Sequence, residues 1–250
     1  MGNTIEVLWT GGWDSTFRVL YASLIEEKEV RPHYIADLAR KSTLRELKAI
    51  SDVRRELEKI DKNAAERIKE LTITPITEIE SFEDITQSYV RLKKQAHLGS
   101  QYDWLSRYAR MKNIDCLELS VHVDDKAYYF LEGKVEQKDH GGWKLKSDVT
   151  GDTQIFSCFE FPLLQISKTE MRAKAKELGF IEALEKSWFC FNPVGNAPCG
   201  TCSPCIYAVE EGMGYRLTKS GILRYKTRYL RKAARLPVRV SRKVYSKLKS

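Results

Sequence analysis

The chain opens on a short apolar run, Ile5 to Trp9, the pattern of a strand buried on both faces. The period then changes. Phe17, Leu20, Tyr21 and Leu24 recur at helical spacing, which predicts a first helix over 15–28. Val30 to Ala36 predicts a second strand. Leu44, Leu47, Ile50, Val53 and Leu57 predict a long helix capped at Ser42 or Thr43, its charged far end running to Leu71. Leu71 to Ile79 is β-branched and interrupted by Pro75, a strand with a break. Residues 82–113 read as helical with an interruption at Leu98-Gly99. Ser100 would cap the second piece, with Trp104, Leu105, Tyr108 and Met111 on one face. Cys116 to Val121 predicts another buried strand, Gly133 to Lys146 a hairpin or surface excursion, and Ile155 to Leu163 a further strand. Ser167-Lys168-Thr169-Glu170 is a capping box. It opens a helix with apolar face Met171, Ala175 and Leu178, ended by Gly179. Strands alternating with helices predict an α/β fold with a doubly wound parallel sheet. Such sheets hold ligands at the carboxyl ends of their strands.

The loop at the end of the first strand is where chemistry concentrates. Thr10-Gly11-Gly12-Trp13-Asp14-Ser15-Thr16 contains two glycines, one acid and three hydroxyls. Gly11 and Gly12 allow positive φ and close backbone approach. The N–H groups of the loop and of the following helix start converge, and the helix dipole adds positive potential there. With hydroxyls from Thr10, Ser15 and Thr16, this makes a phosphate cradle that needs no lysine. The plainer reading is a Gly-Gly turn between strand and helix. No Gly-Lys-Ser/Thr follows and no Gly-x-Gly-x-x-Gly is present, so it is neither of the two commonest phosphate loops.

Charge divides the chain. Of 42 Lys and Arg, 13 lie in 216–250, which holds no Asp or Glu, so residues 1–215 carry 29 basic against 34 acidic groups, net −5. The body is mildly acidic and the tail strongly basic. In the tail Ile222, Tyr225 and Tyr229 recur at helical spacing, Leu230 and Ala233 extend the patch, and Pro237 stops it. It reads either as a solvated segment or as an anion-binding arm for RNA, an acidic protein or an anionic membrane surface. No apolar run is long enough to cross a bilayer, and the N-terminus shows no signal-peptide succession, so the expected location is cytoplasmic.

Six cysteines occur. Cys190, Cys199, Cys202 and Cys205 fall within sixteen residues, the last three as Cys-x-x-Cys-x-x-Cys. Four thiolates at that spacing can wrap a tetrahedral Zn²⁺. An iron–sulfur cluster, a redox pair and disulfides are the competing readings. Cys116 and Cys158 sit in apolar runs and read as inert buried thiols. His33, His97, His122 and His140 form no metal spacing, and only His122, just past a strand end, falls near the expected pocket.

Thr10 to Ser15 resembles the SGGxDS motif of the PP-loop ATP pyrophosphatases, with Thr10 in place of the first serine. Further on, Phe161-Pro162-Leu163, Ser167-Lys168-x-Glu170, Ser187-Trp188-x-Cys190 and Pro198-Cys199-Gly200-x-Cys202-x-x-Cys205 occur in that order. This is similar to the 7-cyano-7-deazaguanine synthase family of queuosine biosynthesis, and the likeness runs from about residue 4 to residue 208. Ser120 followed by Asp125 resembles that family's Gly-x-x-x-x-Asp segment. Three departures fall on the acceptor side. The family's Pro-Gly-Arg-Asn has no counterpart, its Tyr-Pro-Asp is matched at best by Tyr129, and its Arg three residues past the last cysteine is Ala208.

The resemblance implies an adenine nucleotide alpha hydrolase-like fold with an ATP-binding domain over 1–186 and a four-cysteine zinc lobe over 187–215; the basic tail over 216–250 is an addition to that family's pattern. The resemblance also implies ATP, Mg²⁺ and Zn²⁺ as cofactors and adenylation of an acceptor carboxylate on a 7-deazapurine-like small molecule. Oligomeric state is not written in the sequence, and a homodimer is the common default. Thr10, Gly11, Gly12, Ser15 and Thr16 would bind the phosphates. Asp14 would hold Mg²⁺, Lys168 would reach a phosphate, and Ser120 and Asp125 would line the nucleotide. Helix capping by Asp14, a solvated Lys168 and a plain acidic turn at Asp124-Asp125 are the structural alternatives. Two other functions fit the same motifs. One is a PP-loop enzyme adenylating a tRNA base, the tail holding RNA; the other is a non-catalytic nucleotide-binding module that recruits a partner.

Overall fold

The computed structural model describes residues 4–122, 125–139 and 141–230. Asp124, His140 and the tail features from Ala233 onward lie outside the described residues. The chain divides into two compact units, one of residues 1–39 and 43–188, the other of residues 40–42 and 189–250.

The first unit is built on β1 (Thr4–Leu8), β2 (Glu29–Ala36), β3 (Thr72–Pro75), β4 (Leu117–Glu118), β5 (Val135–Gln137), β6 (Trp143–Leu145) and β7 (Phe159–Glu160). Their order in the sheet is β3-β2-β1-β4-β7-β6-β5. β3, β2, β1, β4 and β7 run parallel, and the β5–β6 hairpin closes one edge antiparallel. The doubly wound sheet is therefore present, with an antiparallel margin. Pro32 sits inside β2, where a ladder donor is missing. The neighbouring His33 carbonyl faces β1, accepting from Trp9 N at 2.8 Å, so the Pro32 nitrogen faces the other side. There the β3 ladder begins only opposite His33.

α1 (Trp13–Leu24), α2 (Thr43–Ile60), α3 (Lys62–Arg67), α7 (Lys168–Glu177) and α8 (Ile181–Leu184) pack together on one face. α4 (Glu83–Gln95) and α5 (Gln101–Met111) pack with the 3₁₀ turn Gly151–Phe156 on the other, and the one-turn α6 (Tyr128–Leu131) lies between β4 and β5 in the chain. A continuous apolar cluster joins Tyr89, Leu105, Tyr108, Leu117, Phe156, Phe159 and Phe161 beneath α4 and α5. Its largest members are fully enclosed, which is where the burial free energy of this layer concentrates.

The hairpin at 133–146 and the capping box at Ser167 occur as expected, the Ser167 side chain accepting from Glu170 N and Glu170 returning a bond to Ser167 N. Five expectations are corrected. The long second helix ends at Ile60, where Asp61 accepts from Ala64 N at 2.9 Å and starts α3 separately. Ser100 stands at the head of α5 with helical φ and ψ and makes no side-chain cap bond. The strand expected over 116–121 is laddered only at Leu117–Glu118. Ile155 falls in a 3₁₀ turn, so the strand expected from it begins at Phe159. Leu178 is 39% exposed, because Gly179 turns the chain at φ +79° and Phe180 takes the buried place instead.

The second unit holds the four cysteines, α9 (Ser203–Glu210) and α10 (Lys219–Lys226). Pro204 in the first turn of α9 removes an N–H that the helix start leaves unpaired anyway. α10 is capped by Thr218, which accepts from Gly221 N at 3.2 Å. The cysteines and α10 thus fall in the same unit.

Candidate nucleotide site and metal centre

The order β3-β2-β1-β4-β7 reverses direction between β1 and β4. The crevice at such a switch point is where open parallel sheets place ligands. The loop after β1 (10–12) and the segment after β4 (119–122) leave the sheet side by side. The link is direct: His122 Nε2 lies 4.0 Å from Asp14 Oδ2, and His122 is 7% exposed.

Gly11 carries the turn. Its φ is +72°, and a Cβ there would stand 2.8 Å from the Glu46 carbonyl oxygen. Gly11 O also accepts from Trp188 N at 2.7 Å. Gly12 differs from the expectation, since its φ is −75° and it is the N-cap residue of α1. The loop is closed by its own hydroxyls. Thr10 Oγ1 lies 3.0 Å from Ser15 Oγ and accepts from Gly12 N at 3.3 Å, and Thr10 N donates to Ser15 Oγ at 3.2 Å. Thr10 is exposed and Asp14 half-buried. Thr16 departs from its predicted place. It is fully buried, accepts from the Trp9 indole N–H at 3.0 Å, and gives its own N–H to Gly12 O. It supports the loop from below rather than facing a ligand.

Ser120 follows β4, and its Oγ is enclosed with no hydrogen-bond partner among the described residues. Asp125 accepts from Ala127 N at 2.8 Å and so closes a local turn. Burial and this neighbouring carboxylate push the Tyr102 phenol well above its usual range. Lys168 is the first residue of α7, on a segment that follows β7 at the same edge of the sheet as the loop.

Two further residues hold this crevice. Arg18 on α1 donates through Nε and Nη2 to Glu118 on β4 at 2.6 and 2.9 Å, and through Nη1 to Glu26 at 2.7 Å. Burial pulls the Arg18 pKa down, and the hydrogen bonds and charge of Glu118 and then Glu26 more than reverse it, so it ends raised. This buried fork fixes the helix that carries Asp14 and Ser15 to the strand that Ser120 follows. An acid inside the apolar run Cys116–Ser120 was the available signal for it.

In the second unit the Sγ atoms of Cys190, Cys199, Cys202 and Cys205 lie within 4.8 Å of one another. Cys199–Cys205 and Cys190–Cys202 are each 3.9 Å apart. A single ion about 2.3 Å from each of four tetrahedral sulfurs would set them about 3.8 Å apart. A disulfide would need about 2.05 Å. Backbone N–H groups already point at sulfur, from Cys199 to Cys190 at 3.1 Å and from Thr201 and Cys202 to Cys199 at 3.4 and 3.3 Å. The Cys202 neighbour pushes Cys190 up to about 12 and Cys190 pushes Cys205 up, while Cys190 pushes Cys202 down. Four thiols this close cannot ionise together without a cation, so the donor set fits zinc. Cys116 and Cys158 stand apart from the cluster. Burial, with the Glu160 carboxylate 3.1 Å from its sulfur, pushes Cys116 up to about 12, and burial does the same to Cys158.

The geometry defines a doubly wound α/β sheet with a glycine-turned loop at its switch point, and, in the second unit, a four-cysteine centre. Residues 148–213 match the family model described as Queuosine biosynthesis protein QueC, and over that stretch the chain resembles this family. No curated protein matches the sequence. Among solved structures, a 4-thiouridine synthetase in complex with RNA and ATP is similar at 15% identity and TM-score 0.36 over 89% of this chain and 52% of that one. The chain thus spans about half the length of that structure. Among the described residues, no helix is long and apolar enough to cross a membrane.

Proposed function

We propose that this protein is a PP-loop enzyme that uses ATP to adenylate an acceptor carboxylate, the acceptor being a 7-deazapurine-like compound. The observation that carries the reading is the Thr10–Ser15 loop at the β1/β4 switch point, turned by Gly11 at φ +72°. The acceptor class rests on the likeness of residues 148–213 to the queuosine biosynthesis family.

A carboxylate resists substitution because its leaving group would be an oxide. In the proposed step a carboxylate oxygen attacks the α-phosphorus of ATP, the bond to the β-phosphate oxygen breaks, and pyrophosphate leaves. Ammonia then attacks the acyl carbon and AMP departs, giving an amide or, after further dehydration, a nitrile. The protein's work is to hold phosphates and align reactants. Gly12 and Ser15 offer donors at the start of α1, and Thr10 exchanges its loop bonds for a phosphate contact. Asp14 would hold Mg²⁺ directly or through water, supplying charge neutralisation at the departing pyrophosphate. His122 borders the Asp14 carboxylate at 4.0 Å. Ser120 would donate its enclosed hydroxyl to the nucleotide, and Lys168 would approach a phosphate from the start of α7. Cys190, Cys199, Cys202 and Cys205 would hold a structural zinc.

The basic C-terminal segment would bind an anionic partner, namely RNA, an acidic protein or an anionic membrane surface, with binding that weakens in salt. The deciding assay incubates the protein with ATP, Mg²⁺, ammonia and 7-carboxy-7-deazaguanine, follows pyrophosphate release and identifies the product by mass spectrometry. Release that depends on this acceptor supports the reading. Release that requires tRNA instead would assign the loop to a tRNA-modifying reaction, and no release with either would leave a nucleotide-binding module.

A further inference from the structure

The segment after the last cysteine carries a feature that the sequence reading assigned to a tail. α10 approaches the turn between Cys199 and Cys202 unusually closely. Gly200 has φ +80°, and a Cβ on it would stand 2.1 Å from the Gly221 carbonyl oxygen. Side chains are thus excluded at Gly200 twice over, by backbone conformation and by the helix itself. From the next turn of α10, Arg224 donates from Nε to Cys199 O at 2.7 Å and from Nη2 to Pro198 O at 3.3 Å. Among the described residues Arg224 makes no ion pair. Its fork is directed to two carbonyls of the turn whose N–H groups point at Cys199 sulfur.

We propose that α10 is an outer clasp of the cysteine centre and that Arg224 is its positioning residue. By holding the Pro198 carbonyl, the guanidinium orients the peptide whose N–H, that of Cys199, meets the Cys190 sulfur at 3.1 Å; by holding the Cys199 carbonyl it braces the turn, and it places a positive charge beside four thiolates around one divalent ion, a centre of net charge −2. Both effects favour retention of the ion. Groups that orient metal ligands from outside the first shell typically contribute about 10–100-fold in metal affinity. Arg suits the task because its planar fork spans two acceptors, which a lysine ammonium does not do. The inference rests on the zinc reading of the four cysteines.

The test uses the full chain. Zinc is quantified in the purified wild type, and its transfer to a chromophoric chelator is timed in wild type, Arg224→Ala, Arg224→Gln and Arg224→Lys. Each protein is also loaded with Co²⁺ and its thiolate-to-metal charge-transfer spectrum recorded. Circular dichroism checks the fold. Transfer about 10–100-fold faster in Arg224→Ala and Arg224→Gln, partial recovery in Arg224→Lys, and a shifted Co²⁺ spectrum in the two neutral variants are expected. Wild-type transfer rates and unshifted spectra in folded Arg224→Gln and Arg224→Lys, with zinc bound in the wild type, would overturn the clasp and leave the zinc reading standing. A wild-type chain that binds neither ion would overturn the zinc reading and the clasp with it.

Discussion

Gly11 and Gly12 are adjacent and alike in sequence, yet the structure asks different things of them, and alanine at each separates the two roles. At Gly11 an added Cβ meets two penalties. The left-handed φ of +72° costs a non-glycine residue about 1–3 kcal/mol. The Cβ would also stand 2.8 Å from the Glu46 carbonyl oxygen, a backbone atom that moves only if α2 moves. Relieving that contact also disturbs the bond from Trp188 N to Gly11 O. A total of about 2–4 kcal/mol is expected for Gly11→Ala, within the range of backbone-strain mutants. For a chain of this length each kcal/mol lowers Tm by about 2–4 °C, so Tm should fall by about 5–15 °C. Gly12→Ala has an ordinary φ of −75°, and its Cβ would meet the Thr10 hydroxyl at 3.2 Å. It should cost under about 1 kcal/mol, the scale of an N-cap change. Both should slow ATP-dependent pyrophosphate release, since displacement by about 1 Å can cost about 100-fold in rate. Thermal melts and the release assay measure these effects. A Gly11→Ala protein with wild-type Tm would refute the assignment of the turn to Gly11.

Asp14→Asn and Ser15→Ala should each lower ATP-to-AMP turnover by about 100-fold or more while Tm shifts little, as loss of transition-state contacts does; turnover near wild type in both would remove the nucleotide reading. Glu118→Gln leaves the buried Arg18 charge with Glu26 as its remaining ion partner and should cost up to about 3–5 kcal/mol, whereas Lys48→Ala, which breaks an exposed pair with Asp52, should cost under about 1 kcal/mol; equal melting temperatures would refute the buried fork. With their thiols pushed up to about 12, Cys116 and Cys158 should alkylate at pH 8 far more slowly in the native than in the unfolded chain, as peptide mass spectrometry would read. The same raised pKa values make stability fall as pH climbs from about 8.5, where unfolded thiols ionise, toward about 12; a denaturation midpoint flat across that window would contradict them.

What the sequence made legible was whatever depends on near neighbours along the chain. Phe17, Leu20 and the capping box at Ser167 follow from helical spacing alone, and the four cysteines bring their own ligand spacing. Strands are different, because a ladder exists only where another strand lies. The apolar runs 116–121 and 155–163 therefore looked alike as strands, and each kept only two laddered residues, the second after a 3₁₀ turn. Apolar runs of that length do not distinguish strand from buried turn. Pairings distant in sequence were unreadable for the same reason. Glu118 was visible as an odd acid in an apolar run, but Arg18, a hundred residues away, became its partner only through the sheet order. Arg224 looked like one more basic residue in a basic tail, and its role depends on where α10 lies against the cysteine turn.

Thr10 stands where the resembled SGGxDS motif has serine, and it bears on how far the loop is organised in advance. A serine there would supply the same oxygen with three accessible rotamers. Threonine's β-branch restricts χ1, and its oxygen is placed where it meets both Ser15 Oγ and Gly12 N. The added methyl does not interfere, since Thr10 is exposed. Thr16, directly below, is held by the Trp9 indole, so the two hydroxyls that flank the motif are fixed by different layers, one by the loop and one by the core. Ser15 is left between them, its hydroxyl shared with Thr10 N, Thr10 Oγ1 and, at 3.4 Å, Gly12 O. A phosphate oxygen entering the loop would compete with these weak internal bonds and would not have to order a disordered segment. Binding then gives up hydrogen bonds that are individually worth only about 1 kcal/mol and spares the larger cost of fixing backbone, about 1–2 kcal/mol per residue. On this account the threonine is a device for preorganisation, and it keeps the motif's chemistry while changing the state in which the loop waits.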